Sequence, residues 1–225
     1  MRISPRIGTA LFAAALVAAP LQAQPTAADV RAVLAAVLAH QASIRGPESG
    51  AETCVAASLV GQPTAPGADA EDDPLQPDHS VRIYFQWHVP DAPPPARVAP
   101  PPEPAGSNGR NRRNRPRVEP QPPPAPLATA EAEHLSALRA EAARAPAVPN
   151  PVRIDETLVT PPLLLERPND DCARLTFSAP AFAGDAAFVE YAFACGTVCG
   201  NGGLYALQRR DGRWAPVGIA DIWIR

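Results

Sequence analysis

The chain contains no lysine: all 20 of its basic residues are arginine. Catalysis by a lysine amine, including Schiff-base chemistry, is therefore excluded. No Gly-x-Ser-x-Gly elbow occurs, and the one glycine cluster, Gly200-Asn-Gly-Gly203, leads into a strand-like run, whereas a phosphate site needs a helix start. Ser58, Ser80 and Ser178 stand outside any motif. The adjacent acids Asp155/Glu156 and Asp170/Asp171 read as solvated turn residues in preference to a glycosidase pair. These absences point away from an enzyme, and no cofactor or metal is expected. Beyond residue 23 no stretch is long and apolar enough to cross a bilayer by sequence alone.

What is present begins with a secretory signal. Arg2 and Arg6 precede an apolar run from Ala10 to Ala19, Pro20 breaks it, and Leu21-Gln-Ala23 offers residues a signal peptidase reads. The run is about half of the ~20 residues a membrane span requires. Cleavage after Ala23 and a periplasmic or secreted location are expected. Without Arg2 and Arg6 the balance is 18 basic to 23 acidic residues, net −5, which argues against a general polyanion binder. All four cysteines, Cys54, Cys172, Cys195 and Cys199, lie beyond the signal. Export and an even count favour two disulfides, for which three connectivities exist.

Pro25 to Arg45 reads as a helix. Thr26 caps it with Asp29 reaching back, and Val30, Val33, Leu34, Val37 and Leu38 form one buried stripe. Arg31 and His40 fall off that stripe, and His40 is given no role. Cys54 to Val60 is a short strand candidate. Gly61 to Pro77 is loop-like, and its acids Asp69, Glu71, Asp72 and Asp73 lack the order of a calcium loop. Val81 to His88 is the cleanest strand. Val81, Ile83, Phe85 and Trp87 alternate with Arg82, Tyr84, Gln86 and His88, and this second set is a candidate binding face.

Pro90 to Pro126 changes character, with 14 prolines in 37 residues and no aromatic. Proline removes backbone donors, and so few apolar side chains cannot offset the entropy of ordering, so a disordered insertion is expected. Its run Arg110, Arg112, Arg113, Arg115 and Arg117 is a candidate contact for an anionic cell-envelope component. The missing aromatics and the export signal make nucleic acid an unsuitable partner. Leu127 to Ala145 reads as a second, peripheral helix capped by Thr129, with Leu135, Leu138 and Ala142 as a thin apolar face and Arg139 and Arg144 suiting its C-terminal dipole.

Weak strands at Val152–Val159 and Leu163–Glu166 lead into a meander: Ala173–Ser178, a turn at Gly184-Asp185, Ala187–Ala194, a glycine-rich cysteine turn, Leu204–Arg210, then Trp214–Ile224. Asp211-Gly212 is a strong hairpin signal. Cys195-x-x-x-Cys199 in this β-turn reads as a cystine that pins it, leaving Cys54–Cys172 as the second bond. A thiol-redox or soft-metal role for Cys195 and Cys199 is the alternative, though the spacing exceeds that of a Cys-x-x-Cys couple and only His79, His88 or His134 could approach through folding. The expected fold is α+β. One antiparallel sheet joins the meander to strand 81–88, with an N-terminal and a peripheral helix. The domain runs over 24–89 and 127–225, discontinuous around the insertion at 90–126.

Cys195-Gly-x-x-Cys199-Gly-x-Gly202 followed by Leu207-x-Arg209-x-x-Gly212-x-Trp214, with Ser178-Ala-Pro-Ala-Phe182 upstream, resembles a C-terminal signature of small exported bacterial proteins of uncharacterised function. The resemblance covers the last quarter of the chain and implies an exported antiparallel-sheet domain. It brings no activity, cofactor or catalytic residue with it.

Overall fold

The computed structural model describes residues 24–45, 52–61, 81–82, 86–90, 125–146, 152–168, 170–196 and 199–224, with backbone alone at 81–82 and 223–224. The expected signal at 1–23, the acidic residues Asp69, Glu71, Asp72 and Asp73, Tyr84 and the arginine run 110–117 lie outside these residues.

Helix α1 covers Ala27–Arg45 and buries Val30, Val33, Leu34, Val37, Leu38, Gln41 and Ala42. Its start is the reciprocal cap that the sequence predicts. Asp29 N–H donates to Thr26 Oγ1 at 3.2 Å, while Thr26 N–H donates to Asp29 Oδ2 at 3.0 Å. Contrary to the expectation that nothing beyond residue 23 is long and apolar enough to cross a bilayer, α1 is so by length and composition. In this fold its apolar stripe is instead the cover of one sheet face, and Arg209 ties its first turn down through Asp29 at 3.1 Å.

The Thr26 hydrogen bonds, then Arg209, hold the Asp29 carboxyl below the usual carboxylate range. The folded pKa is depressed, so the linked stability is complete above the unfolded value of about 4 and is lost as pH falls through the lower folded one. Asp29→Asn is therefore expected to flatten part of the acid limb of a stability–pH curve below about pH 4. Thermal melts across that limb check this, and an unchanged slope would contradict it.

The strands are β1 (Thr53–Val55), β2 (Val81–Arg82), β3 (Trp87–His88), β4 (Leu163–Leu165), β5 (Ala173–Phe177), β6 (Ala181–Ala183), β7 (Ala186–Ala194), β8 (Gly200–Arg210) and β9 (Arg213–Ile224). They form one sheet in the order β2-β9-β8-β7-β5-β1-β4, with β3 also on β9 and β6 also on β7. The fold is α+β. The meander and the strands at 81–88 are antiparallel, with Trp87 opposite Ala220 and Val81 opposite Ile224. Beyond β5 the sheet becomes mixed, because β1 lies parallel to both β4 and β5. The long connections between β1 and its neighbours allow a parallel approach that no hairpin could make.

Alternation sends Ala187, Val189, Tyr191, Tyr205 and Leu207 toward α1, and Phe188, Leu204, Ala206 and Ala220 to the opposite face. On that second face lies α2 (Thr129–Ala142), burying Leu135, Arg139 and Ala142. The residue before it is Ala128, which caps without a side-chain bond, so the expected Thr129 cap does not form: Thr129 is already the first helical residue. A Cβ at Gly218 would stand 2.9 Å from Leu135 Cδ1, so glycine there lets α2 close on the sheet.

Turn chemistry follows the sequence. Asp211 and Gly212 both take positive φ (51° and 75°), the two-residue hairpin geometry that joins Arg210 to Arg213. Val152–Val159 is not a strand but an irregular stretch with a turn at 156–158. Its Ile154 is buried in the α1-side core.

The ends of the proline-rich segment meet. Val89 N–H donates to Ala125 O at 2.9 Å, and Leu127 N–H donates to Trp87 O at 3.0 Å. Because these ends are already joined, excising residues 91–124 with a short turn in their place is expected to leave the cooperative unfolding transition intact. Loss of that transition in a urea titration would show that the segment is part of the folded unit.

Candidate functional site

Two features concentrate chemistry at one end of the sheet. The first is the hairpin joining β7 to β8. Cys195 and Cys199 are bonded to each other across a sequence separation of 4, with Cα atoms 5.1 Å apart, and Cys195 N–H donates to Cys199 O at 3.0 Å. The cystine closes the loop directly above the Ala194–Gly200 pair. The other two cysteines, Cys54 and Cys172, are also bonded, with Cα atoms 5.9 Å apart and 118 residues between them. Cysteine in a disulfide has no thiolate to offer a metal or an electrophile. Among the described residues, the metal-ligating types draw together as a group of three at Cys54, Asp170 and Cys172, where both sulfurs are already bonded to each other.

The second feature, which sequence reasoning missed, is a polar cluster under the last turns of α1. Gln41 is 1% exposed, and its Nε2 donates to Tyr205 Oη at 2.8 Å. His40 Nδ1 lies 2.9 Å from the same hydroxyl, with its ring edge-on to Tyr205. His40 is therefore half-buried and bonded, where a surface position was expected. Its place between Val37 and Ala42 put it off the apolar stripe, yet near enough to reach an inward tyrosine. The signal was available at Gln41, an amide standing where the stripe calls for an apolar residue.

Arg45 Nε donates to Gln41 Oε1 at 3.0 Å, and its Cζ lies 3.9 Å above the Phe193 ring. Asn201 Nδ2 approaches Tyr191 Oη at 3.5 Å. Phe193 pairs with Asn201 immediately before the cystine loop, so α1, both hairpin strands and the cystine are joined through this cluster.

A Cβ at Gly203 would meet Ala220 O and Tyr191 Cε1, each at 2.7 Å. Glycine opposite Tyr191 makes the space its ring occupies. Burial, then Asp221 nearby, pushes the Tyr191 hydroxyl above the usual tyrosine range. Burial, then Tyr191, does the same to Tyr205. Both stay protonated at any physiological pH, with Tyr205 Oη accepting from Gln41 and Tyr191 Oη from Asn201, and neither is suited to act as a base or nucleophile. Burial also lowers the Arg45 pKa.

The candidate face on strand 81–88 is divided by the fold. Trp87 is buried, stacks toward Phe188 and donates from Nε1 to Ser136 Oγ at 3.1 Å. Gln86 is exposed, whereas His88 is half-buried between β9 and a bridge to Pro126. Backbone alone is described at Arg82, and Tyr84, like Arg110, Arg112, Arg113, Arg115 and Arg117, lies outside the described residues. Strand β3 is thus paired with β9 on one side and with Ala125–Leu127 on the other, with Gln86 just before it, which leaves side chains and no free backbone edge for a partner there.

Among the described residues an open cleft of about 410 Å³ runs beside Trp87, between Gln86 and Thr129, Glu133 and Ser136 of α2. Another, of about 360 Å³, lies between Gln24–Thr26 and Trp214. There the Arg209 guanidinium bridges Asp29 and Asp185 and sits 5.2 Å over the Trp214 ring. No family model, curated protein or solved structure matches the chain.

Proposed function

We propose that this is an exported, periplasmic module with a binding or envelope-associated accessory role, not a catalytic one, of the kind its C-terminal cysteine and hairpin pattern resembles. The observation that carries the reading is the state of the cysteines. All four are consumed in two bonds, one closing a hairpin loop and one fastening β1 to the start of β5. Bonds in such positions persist in an oxidising compartment. The helix cap agrees with maturation after Ala23: the capping box starts at Thr26, so removal of residues 1–23 leaves α1 whole. The protonated tyrosines and closed cystines supply rigidity and hydrogen bonds in place of a reactive group. The arginine run Arg110–Arg117, which lies in the chain between the paired residues Val89 and Ala125, is the proposed contact for anionic envelope components.

A non-reducing peptide map of the protein recovered from periplasm, with thiol alkylation and metal analysis, tests this. The expected result is a mature chain beginning at Gln24, linked Cys54–Cys172 and Cys195–Cys199 peptides, and no stoichiometric metal. Alkylated Cys195 and Cys199, or stoichiometric copper or zinc, would establish the thiol or soft-metal function instead. Co-isolation from envelope fractions at low and high salt then separates contacts made by the arginines, which salt releases, from contacts made by the folded surface.

A further inference from the structure

The sheet ends at β4, and that end is built unlike the other. Strand β4 pairs with β1, and among the described residues no strand covers its outer side. Thr53 stands opposite Leu163 and Val55 opposite Leu165, and Glu166 N–H donates to Val55 O at 2.9 Å. In a parallel ladder alternate residues turn their backbone groups to the same neighbour. Leu164 and Glu166 therefore address β1, and the N–H and C=O of Leu165 address the open side.

Sheets protect such edges with very short strands, charged residues, bulges or proline, and β4 has its three-residue length and the Pro161-Pro162 pair before it. Here the strand is Leu-Leu-Leu. The side chains of Leu163 and Leu165 pack on the α1-side core, and Leu164 is 43% exposed. Beside it opens a cleft of about 560 Å³, lined by Val159, Pro161 and the three leucines. Its rim carries the carboxylates of Glu52, Glu156, Asp170 and Asp171 against one guanidinium, Arg167. Glu166 adds no net charge, being closed by Arg174 at 3.1 Å. The Cys54–Cys172 bond ties β1, the strand that pairs with β4, to the start of β5.

The geometry points to β4 as a docking edge for an extended, cationic peptide segment, which adds as a strand beside Leu163–Leu165. Backbone pairing to Leu165 supplies the affinity, an apolar residue beside Leu164 fills the cleft, and arginine or lysine side chains meet the rim carboxylates. This deepens the binding-module reading by naming the partner's chemistry and rests on that reading. It differs from the proposed role of Arg110–Arg117, which carries the opposite charge and seeks an anion.

The test uses the full-length oxidised protein and fluorescein-labelled ten-residue peptides that alternate valine with arginine or valine with glutamate, followed by anisotropy. The valine–arginine peptide is expected to bind at least about tenfold more tightly than the valine–glutamate peptide. N-methylation of the alternate residues that face β4 is expected to weaken it by a similar factor, because it removes the pairing N–H groups. Hydrogen exchange at Leu165 should slow by about tenfold when the peptide is bound. Glu156→Arg with Asp171→Arg, both at exposed positions, should reverse the charge preference while the melting temperature holds.

Equal binding of the two peptides, indifference to N-methylation, or unchanged exchange at Leu165 would each overturn the assignment. So would failure of the arginine peptide to bind at millimolar concentration. None of those results bears on the cysteine map or the envelope co-isolation, so the two readings fail separately.

Discussion

Replacing Cys54 and Cys172 together by alanine is expected to lower the unfolding free energy by ~5 kcal/mol, whereas replacing Cys195 and Cys199 should cost only ~2 kcal/mol. The asymmetry follows from loop closure. The first bond spans 118 residues and the second spans 4. In the chain-entropy account the denatured ensemble loses more freedom when the closed loop is long. The long bond also reaches the part of the sheet that depends on it most. Strand β1 has three residues, and its nearest strands in sequence pair elsewhere, on β9. Without the bond, the β1–β4 end should fray ahead of the β7–β9 meander. Urea titrations of the two double variants give the free energies, and hydrogen exchange gives the order of opening. Equal costs, or a larger cost for the Cys195/Cys199 variant, would contradict the account.

The second large effect lies under α2. Arg139 Nη2 stands 3.7 Å from Glu190 Oε1, with side chains 9% and 2% exposed. Sequence reasoning places Arg139 near the C-terminal end of the helix, where it suits the dipole; the structure keeps it in the last turn and buries it as well. The strand position of Glu190 is equally enclosed: its N–H donates to Ser178 Oγ at 2.9 Å, and its C=O accepts from Ser178 N–H at 2.9 Å. Taking a guanidinium and a carboxylate out of water is costly for each ion, and their mutual attraction offsets the cost only while both remain. Glu190→Ala is expected to destabilise the protein by ~3–5 kcal/mol, because it removes the carboxylate that faces a buried guanidinium. Combining Glu190→Leu with Arg139→Met should recover most of that loss, since neither charge is then buried. A double-mutant cycle in urea measures the coupling. Single-variant costs that add in the double variant would show that the two side chains do not act as a pair.

Much of the frame is legible in the chain because local rules and the fold agree there. The Thr26–Asp29 box, the apolar stripe of α1, the Asp211-Gly212 turn and the β7–β8–β9 alternation each depend on residues within a few positions of one another. Both cysteine pairings also match, since a short spacing around glycine left a single partner for each remaining cysteine. What the chain by itself does not show is a side chain whose partner is distant. Arg139 meets Glu190 on another element, and His40 and Gln41 meet Tyr205 more than 160 positions away. The Thr129 cap failed by one residue, and the strand at 152–159 failed because Ile154 is buried from a loop.

The residues themselves determined the helix ends, the hairpin turns, the exclusion of lysine chemistry and the even cysteine set. These follow from backbone sterics, periodicity and composition, which act over a turn of helix or a pair of strands. Tertiary structure alone decided that β1 enters parallel, that α1 and α2 cover opposite faces, that a buried ion pair fastens α2, and that β4 ends the sheet with leucine at its edge. Those outcomes depend on which distant surfaces meet, and burial and charge are settled only when they do.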